Sequence, residues 1–139
     1  MIILDTNVLS ELMKPAPSPR VAQWLGRFPP LGFFTTAVTQ AEILYGLELL
    51  PKGKRRTSLQ SAIEAMFAEE FAGRVLPFDS EAAQVFARIA FGRRVVGRPI
   101  AQSDAQIAAI ANVRGAPIAT RNTTDFDGCG ITVLNPWID

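Results

Sequence analysis

The opening stretch, Met1-Ile2-Ile3-Leu4-Asp5-Thr6-Asn7-Val8, constrains this chain more than any other segment. Four successive apolar residues make a run of strand length without polar alternation. That pattern belongs to a strand covered on both faces. An acid follows at once, where the chain leaves the strand for a helix. A central strand of this kind needs helices on either side of its sheet. The remaining sequence has to supply them.

It does so by alternation. Val8–Met13 is expected to be a short helix, stopped by Lys14-Pro15-Ala16-Pro17. Ser18-Pro19 reads as N-cap and first position of a helix carrying Val21, Trp24, Leu25 and Phe28. Gly32–Thr36 is a second strand and Thr39–Leu50 a helix, with Thr39 and Glu42 in capping-box spacing. A basic connection, Pro51–Arg56, leads into an amphipathic helix over Thr57–Ala72. Arg74–Phe78, Pro117–Thr120 and Ile131–Leu134 are strands; Ser80–Phe91 and Ser103–Val113 are helices. The last of these is apolar nearly all round and is closed by Gly115, a good helix terminator. Strands alternating with helices imply an α/β domain around a mainly parallel sheet of five strands. There is no repeat or long linker, so residues 1–139 are expected to form one domain.

Composition matters here for what it removes. The chain has no histidine and one cysteine, Cys129. Ser-His-Asp and Cys-His catalysis, histidine-ligated metals, cysteine-cluster zinc sites and internal disulfides are all excluded. The chemistry that remains belongs to carboxylates, hydroxyls, amides, Lys and Arg. Carboxylates without histidine suit a hard cation such as Mg²⁺ or Mn²⁺. The net charge of +1 says little about partners, although Arg outnumbers Lys 11 to 3. The N-terminus lacks the basic region and uninterrupted apolar core of a signal peptide, and no apolar run spans a membrane. A cytoplasmic location without membrane contact is therefore expected.

Open parallel sheets bind ligands beyond the carboxyl ends of their strands, and four acids fall there. Asp5 follows the first strand. Glu42 sits in the first turn expected after the second strand. Asp104 opens the apolar helix, and Asp125 follows the fourth strand. Each has an ordinary structural role available, as helix cap, first-turn acid or turn residue. Together they crowd one end of one sheet. Two carboxylates about 4 Å apart repel by roughly 4 kcal/mol at an effective dielectric near 20. Such a cluster holds a proton or recruits a cation. With no histidine as base, a divalent metal is the economical reading. Thr6, Asn7, Thr120 and Asn122 add neutral groups that can orient the carboxylates. Glu11, Glu48, Glu64, Glu69, Glu70, Asp79, Glu81 and Asp139 read as surface, cap or tail residues, and Asp127 is undecided.

The opening Leu4-Asp5-Thr6-Asn7, the Thr39-Gln40-Ala41-Glu42 segment, Ser103-Asp104 before an apolar helix, and Thr120-Arg121-Asn122-Thr123-Thr124-Asp125-Phe126 resemble the PIN-domain family. Within it the chain is similar to VapC-type toxins of bacterial toxin–antitoxin pairs. Leu50-Pro51-Lys52-Gly53-Lys54 and Asn135-Pro136-Trp137 resemble the FitB branch. The likeness runs the length of the chain. It implies a three-layer α/β/α sandwich and an endoribonuclease dependent on Mg²⁺ or Mn²⁺. It carries Asp5, Glu42 and Asp104 over as the core acids and metal ligands. It also implies a homodimer and a cognate VapB-type antitoxin that covers the site and binds promoter DNA. Some members carry a fourth acid where this chain has Asn122, whereas Asp125 matches others, so both stay open for that position.

Lys52, Lys54, Arg55 and Arg56, and separately Arg93, Arg94 and Arg98, are candidate contacts to RNA phosphates, or else solvated surface. Arg121 adjoins the acids. Trp24, Leu25 and Phe28 read as core, with a groove for the antitoxin as the other reading. A receiver-like phospho-acceptor needs paired acids after the first strand and a late lysine, and neither is present. An Asp-x-Asp phosphatase fails because Asn7 holds the second position, and no Walker A or GxGxxG fingerprint occurs. An inactive PIN-fold interaction module is the remaining alternative to a nuclease.

Overall fold

A computed structural model describes residues 1–139. Its five strands are β1 (Ile2–Leu4), β2 (Phe33–Thr36), β3 (Val75–Leu76), β4 (Ile118–Ala119) and β5 (Val133–Leu134). They form one sheet in the order β3-β2-β1-β4-β5 with every pair parallel. The six helices are α1 (Thr6–Leu12), α2 (Pro19–Leu25), α3 (Ala37–Glu48), α4 (Lys54–Ala65), α5 (Ser80–Val95) and α6 (Gln102–Arg114). The run of apolar residues in β1 serves two cores at once. Ile3 packs with α5 and α6 residues, including Ala82, Ile89, Ile107 and Ala108. Leu4, on the opposite pleat, packs with Val8, Leu9, Trp24, Ile43 and Ile63 of α1 to α4. The sheet is thus the middle layer of an α/β/α sandwich, as expected.

α6 is the most deeply buried helix. Ala105, Ile107, Ala108, Ala109 and Ala111 are wholly inaccessible. Alanine dominates because the helix lies too close to its neighbours for larger side chains. Gly115 ends it with φ 61°, a left-handed turn that only glycine makes without strain.

Several helix ends differ from the sequence expectation, each for a local reason. α1 starts at Thr6 because Asp5 itself accepts the Thr6 N–H at 2.8 Å. α3 starts before Thr39: the Thr36 hydroxyl accepts the Thr39 N–H at 3.0 Å, so Thr36 is the cap. The Thr39–Glu42 capping box is therefore absent, and Glu42 stands in the second turn. α4 begins at Lys54, immediately after Gly53, and gives way to a wider π-turn over Met66–Glu70 that brings Met66 and Phe71 into the core. α5 continues past Phe91 because Arg93 ties its end down, its Nε donating to the Arg98 carbonyl at 2.7 Å. No helix is long and apolar enough to cross a membrane.

If α6 is held by close packing, Ala108→Leu should destabilise the chain by about 1–3 kcal/mol. Urea unfolding would read this as a lower midpoint with an unchanged m-value. An unchanged midpoint would show that the helix has room that the structure does not.

Candidate active site

Strand order fixes where the site lies. The chain leaves β1 to build β2 and β3 on one side, then returns to add β4 and β5 on the other. The loops after β1 and β4 therefore diverge at the sheet's carboxyl end and open a crevice between them. A cleft of about 440 Å³ occupies this place, lined by Asp5, Thr6, Asn7, Glu42, Asp104, Arg121 and Asn122 among others. Three acids far apart in sequence, Asp5, Glu42 and Asp104, share it.

Asp5 is 5% exposed. One carboxylate oxygen accepts the Thr6 N–H, and the other accepts the Thr120 hydroxyl at 2.8 Å and the Asn7 amide at 3.3 Å. Its role as the α1 cap and its place in the cleft are thus one arrangement. Thr120 Oγ1 is the hub: it donates to Asp5 and accepts from Asn7 Nδ2 and the Asn122 N–H, both at 3.1 Å. Asn7 Oδ1 accepts the Arg121 N–H at 3.1 Å. The loops after β1 and β4 are therefore laced together by neutral groups. On the β2 side, the Thr6 hydroxyl donates to Glu42 Oε1 at 2.9 Å and lies 3.1 Å from Thr39 Oγ1.

The electrostatics are one-sided. Burial pushes the Asp5 carboxyl above its ordinary value, against the lowering effect of the Thr120 and Thr6 hydrogen bonds; the charges of Glu42 and Asp125 push it the same way as burial. Asp104 is raised from 3.8 to about 6, first by burial and then by Asp5, Asp125 and Glu42, with Arg93 opposing. Neutral donors satisfy the oxygens of Asp5, but no cation pairs with Asp5, Glu42 or Asp104.

This donor set fits a hard divalent cation: oxygen ligands only, excess negative charge, and orienting hydrogen bonds behind them. No three acidic or sulfur side chains converge closely enough to enclose an ion by themselves. Mg²⁺ tolerates that, since it keeps several waters and binds through one or two carboxylates.

Asn122 lines the cleft and Asp125 does not. Asp125 sits in a short 3-10 turn, Thr123–Phe126, anchored by the buried Phe126, and acts on Asp5 and Asp104 through its charge. The basic residues separate. Lys52, Lys54, Arg55 and Arg56 lie outside the cleft lining. Arg56 bonds the Leu50 carbonyl and pairs with Glu48 at 3.4 Å, closing the α3–α4 turn. Arg55 lines a neighbouring groove with Met13 and Leu59. Arg93, read from sequence as a phosphate contact or solvated surface, is buried and bonds the carbonyls of Arg98, Asp125 and Asp127. It anchors the Asp125 turn from within the chain. Arg98 pairs with Asp127 at 3.5 Å on the surface. Trp24 is core, whereas Leu25 and Phe28 line an apolar groove with Leu31 and Phe33.

Four cleft residues were not expected there: Ser10, Glu11, Lys14 and Trp137. Glu11, read as surface, is buried, and its carboxyl is held below its ordinary value chiefly by its hydrogen bond with Lys14 at 3.1 Å. A helical face drawn from Asn7 passes through Ser10, Glu11 and Lys14, so spacing contained the signal.

The PIN domain profile matches residues 2–128. The chain belongs to the PIN-domain family. Within it, the chain stands in the VapC and FitB group. It is 40% identical over 137 residues to VapC ribonuclease Y4jK of Sinorhizobium fredii, covering 99% of this chain and 98% of that one. It is 40% identical over 139 residues to Toxin FitB of Neisseria gonorrhoeae, covering all of both. A solved structure of FitAB bound to an IR36 DNA fragment superposes with a TM-score of 0.91 at 39% identity, covering 99% of this chain and 96% of that one. PIN membership accounts for the parallel five-stranded sheet.

The raised Asp104 carboxyl makes a pH prediction for the metal-free protein. The folded state holds the Asp104 proton more tightly than the unfolded state, so stability falls as pH rises from about 4 to about 6 and stays low above. Asp104→Asn removes that loss. The Tm of the variant minus that of the wild type, in EDTA, should be near zero below pH 4 and should rise to a positive plateau above pH 6. A difference independent of pH would contradict burial and carboxylate repulsion as the forces on Asp104.

Proposed function

We propose that this PIN-domain protein is a divalent-metal-dependent endoribonuclease, acting as the toxin of a cytoplasmic toxin–antitoxin pair. The observation that carries the reading is the meeting of Asp5, Glu42 and Asp104 in one cleft, none of them in an ion pair. The Sinorhizobium relative is named a VapC ribonuclease, which points the same way.

In this reading Asp5, Glu42 and Asp104 hold Mg²⁺ or Mn²⁺, and Asn122 or Asp125 contributes at the fourth position. The ion supplies Lewis-acid polarisation of the scissile phosphate. The chain's own residues do the rest. Thr120 and Asn7 fix the Asp5 carboxylate from behind, and Thr6 fixes Glu42. The half-buried first turn of α6, seated by the buried Ala105, keeps Asp104 in the wall of the cleft. Residues 1–139 act as one PIN domain and pair as a homodimer. A cognate VapB-type antitoxin covers the cleft and binds promoter DNA, a reading that the FitAB complex with a DNA fragment supports. The apolar groove of about 630 Å³ beside Leu25 and Phe28 is a surface such a partner can fill.

Cleavage of total RNA by the purified protein should require Mg²⁺ or Mn²⁺ and stop in EDTA. Asp5→Asn and Asp104→Asn should each lower the rate by at least about 100-fold, the order expected when a positioned electrostatic group is lost. Circular dichroism and Tm should show both variants folded. Full cleavage in EDTA would refute the metal mechanism. Absence of divalent binding by calorimetry at millimolar concentration would favour an inactive interaction module.

A further inference from the structure

The cleft has a second chemical feature besides its acids. Of its two cations, Lys14 is engaged by Glu11 at 3.1 Å. Arg121 is different. Its guanidinium lies over the Trp137 ring, 5.2 Å from the centroid, and makes no hydrogen bond or ion pair within the chain. Trp137 is also the only apolar residue in the lining.

Both partners are held in place. The Arg121 backbone is fixed by its N–H bond to Asn7. Trp137 sits in a closed turn: its N–H donates to Asn135 Oδ1 at 2.9 Å, and the Asn135 N–H donates to Asp139 Oδ2 at 2.8 Å. Arg27, just beyond α2, donates to the Asp139 carbonyl at 3.1 Å and anchors the turn from outside. A long, exposed side chain at the cleft is thereby restrained, while its guanidinium N–H groups stay without a hydrogen-bond partner in the chain. A cation–π contact with the ring uses the face of a guanidinium and leaves its N–H groups able to donate.

An RNA strand entering this cleft meets four carboxylates, Asp5, Glu11, Glu42 and Asp104. Its phosphates need an attractive contact in the same place. Arg121 is the one unengaged cation there, and a guanidinium matches phosphate oxygens in pairs.

We propose that Arg121, seated over Trp137, grips a phosphate flanking the scissile one and so holds the RNA strand over the acids. The proposal rests on the ribonuclease reading and adds a positioning element to it. Arg121 touches substrate; Trp137 acts through Arg121.

The test is binding of a fluorescein-labelled, single-stranded RNA 12-mer of mixed sequence, followed by anisotropy in Ca²⁺, with strand integrity checked on a gel. Arg121→Gln should weaken binding about tenfold and lower the salt slope by about 0.7, the value for one phosphate contact on a single strand. Arg121→Lys should keep the slope and recover only part of the affinity, because an ammonium cannot stack as a plane. Trp137→Ala should weaken binding without lowering the slope, and Trp137→Phe should restore most of it. In Mg²⁺ cleavage assays the losses should appear in KM, with kcat within about threefold of the wild type.

Arg121 is exposed, so its variants test the proposal even if Trp137→Ala fails to fold. Wild-type affinity and slope in Arg121→Gln would overturn it, and would leave the guanidinium to a carboxylate of a protein partner. A wild-type protein that cleaves RNA while Arg121→Gln cleaves with the same KM sinks this proposal alone. A wild-type protein that neither binds nor cleaves RNA sinks the ribonuclease reading as well.

Discussion

Asp5 ends the central strand as a buried carboxylate whose oxygens meet only neutral donors: a backbone N–H, a hydroxyl and an amide. Those donors come from both sides of the crevice, so the acid cannot be satisfied unless the loops after β1 and β4 are in register. Thr120 makes the connection, since its hydroxyl donates to Asp5 while accepting from Asn7 and from the Asn122 backbone. The geometry of the cleft follows from satisfying that one group. The excess negative charge follows too, because hydrogen bonds solvate a carboxylate without neutralising it.

The rest of the sandwich holds this arrangement in place. α6, lined with alanine, packs tightly enough to place its first turn, and hence Asp104, in the wall of the cleft. α3 starts early because Thr36 caps it, which sets Glu42 opposite Thr6. Arg93, buried beneath the turn that carries Asp125, bonds the carbonyls of Asp125 and Asp127 and opposes the negative charge around Asp104. The metal-free site is therefore strained electrostatically while its backbone is rigidly supported.

Much of this was legible in the sequence. The apolar run before Asp5, the strand–helix alternation and the rule placing ligands at strand ends are enough to bring Asp5, Glu42 and Asp104 to one location. What sequence missed was side-chain commitment. Arg93 and Arg56 look like surface cations in sequence, yet both are engaged by carbonyls of the chain itself, contacts set by turn geometry rather than by local pattern. Glu11 reads as a surface acid because its partner Lys14 looks equally exposed; only the packing of α1 shows the pair turned into the cleft. Trp137 reaches the site through the closing turn of the chain, and no periodicity reports such a long-range contact. The Asp125 and Asn122 alternative was undecidable from spacing, because the 3-10 turn that separates them depends on burial of Phe126.

If the three acids at the sheet end form one site for a hard divalent ion, manganese should find it. A crystal of the protein soaked in MnCl₂, with data collected to give anomalous differences for manganese, tests this most directly. The expected result is a peak in the cleft within about 2.1 Å of carboxylate oxygens of Asp5 or Asp104, the hard-cation coordination distance. A cleft without a peak at millimolar Mn²⁺, or manganese bound only elsewhere on the surface, would contradict it.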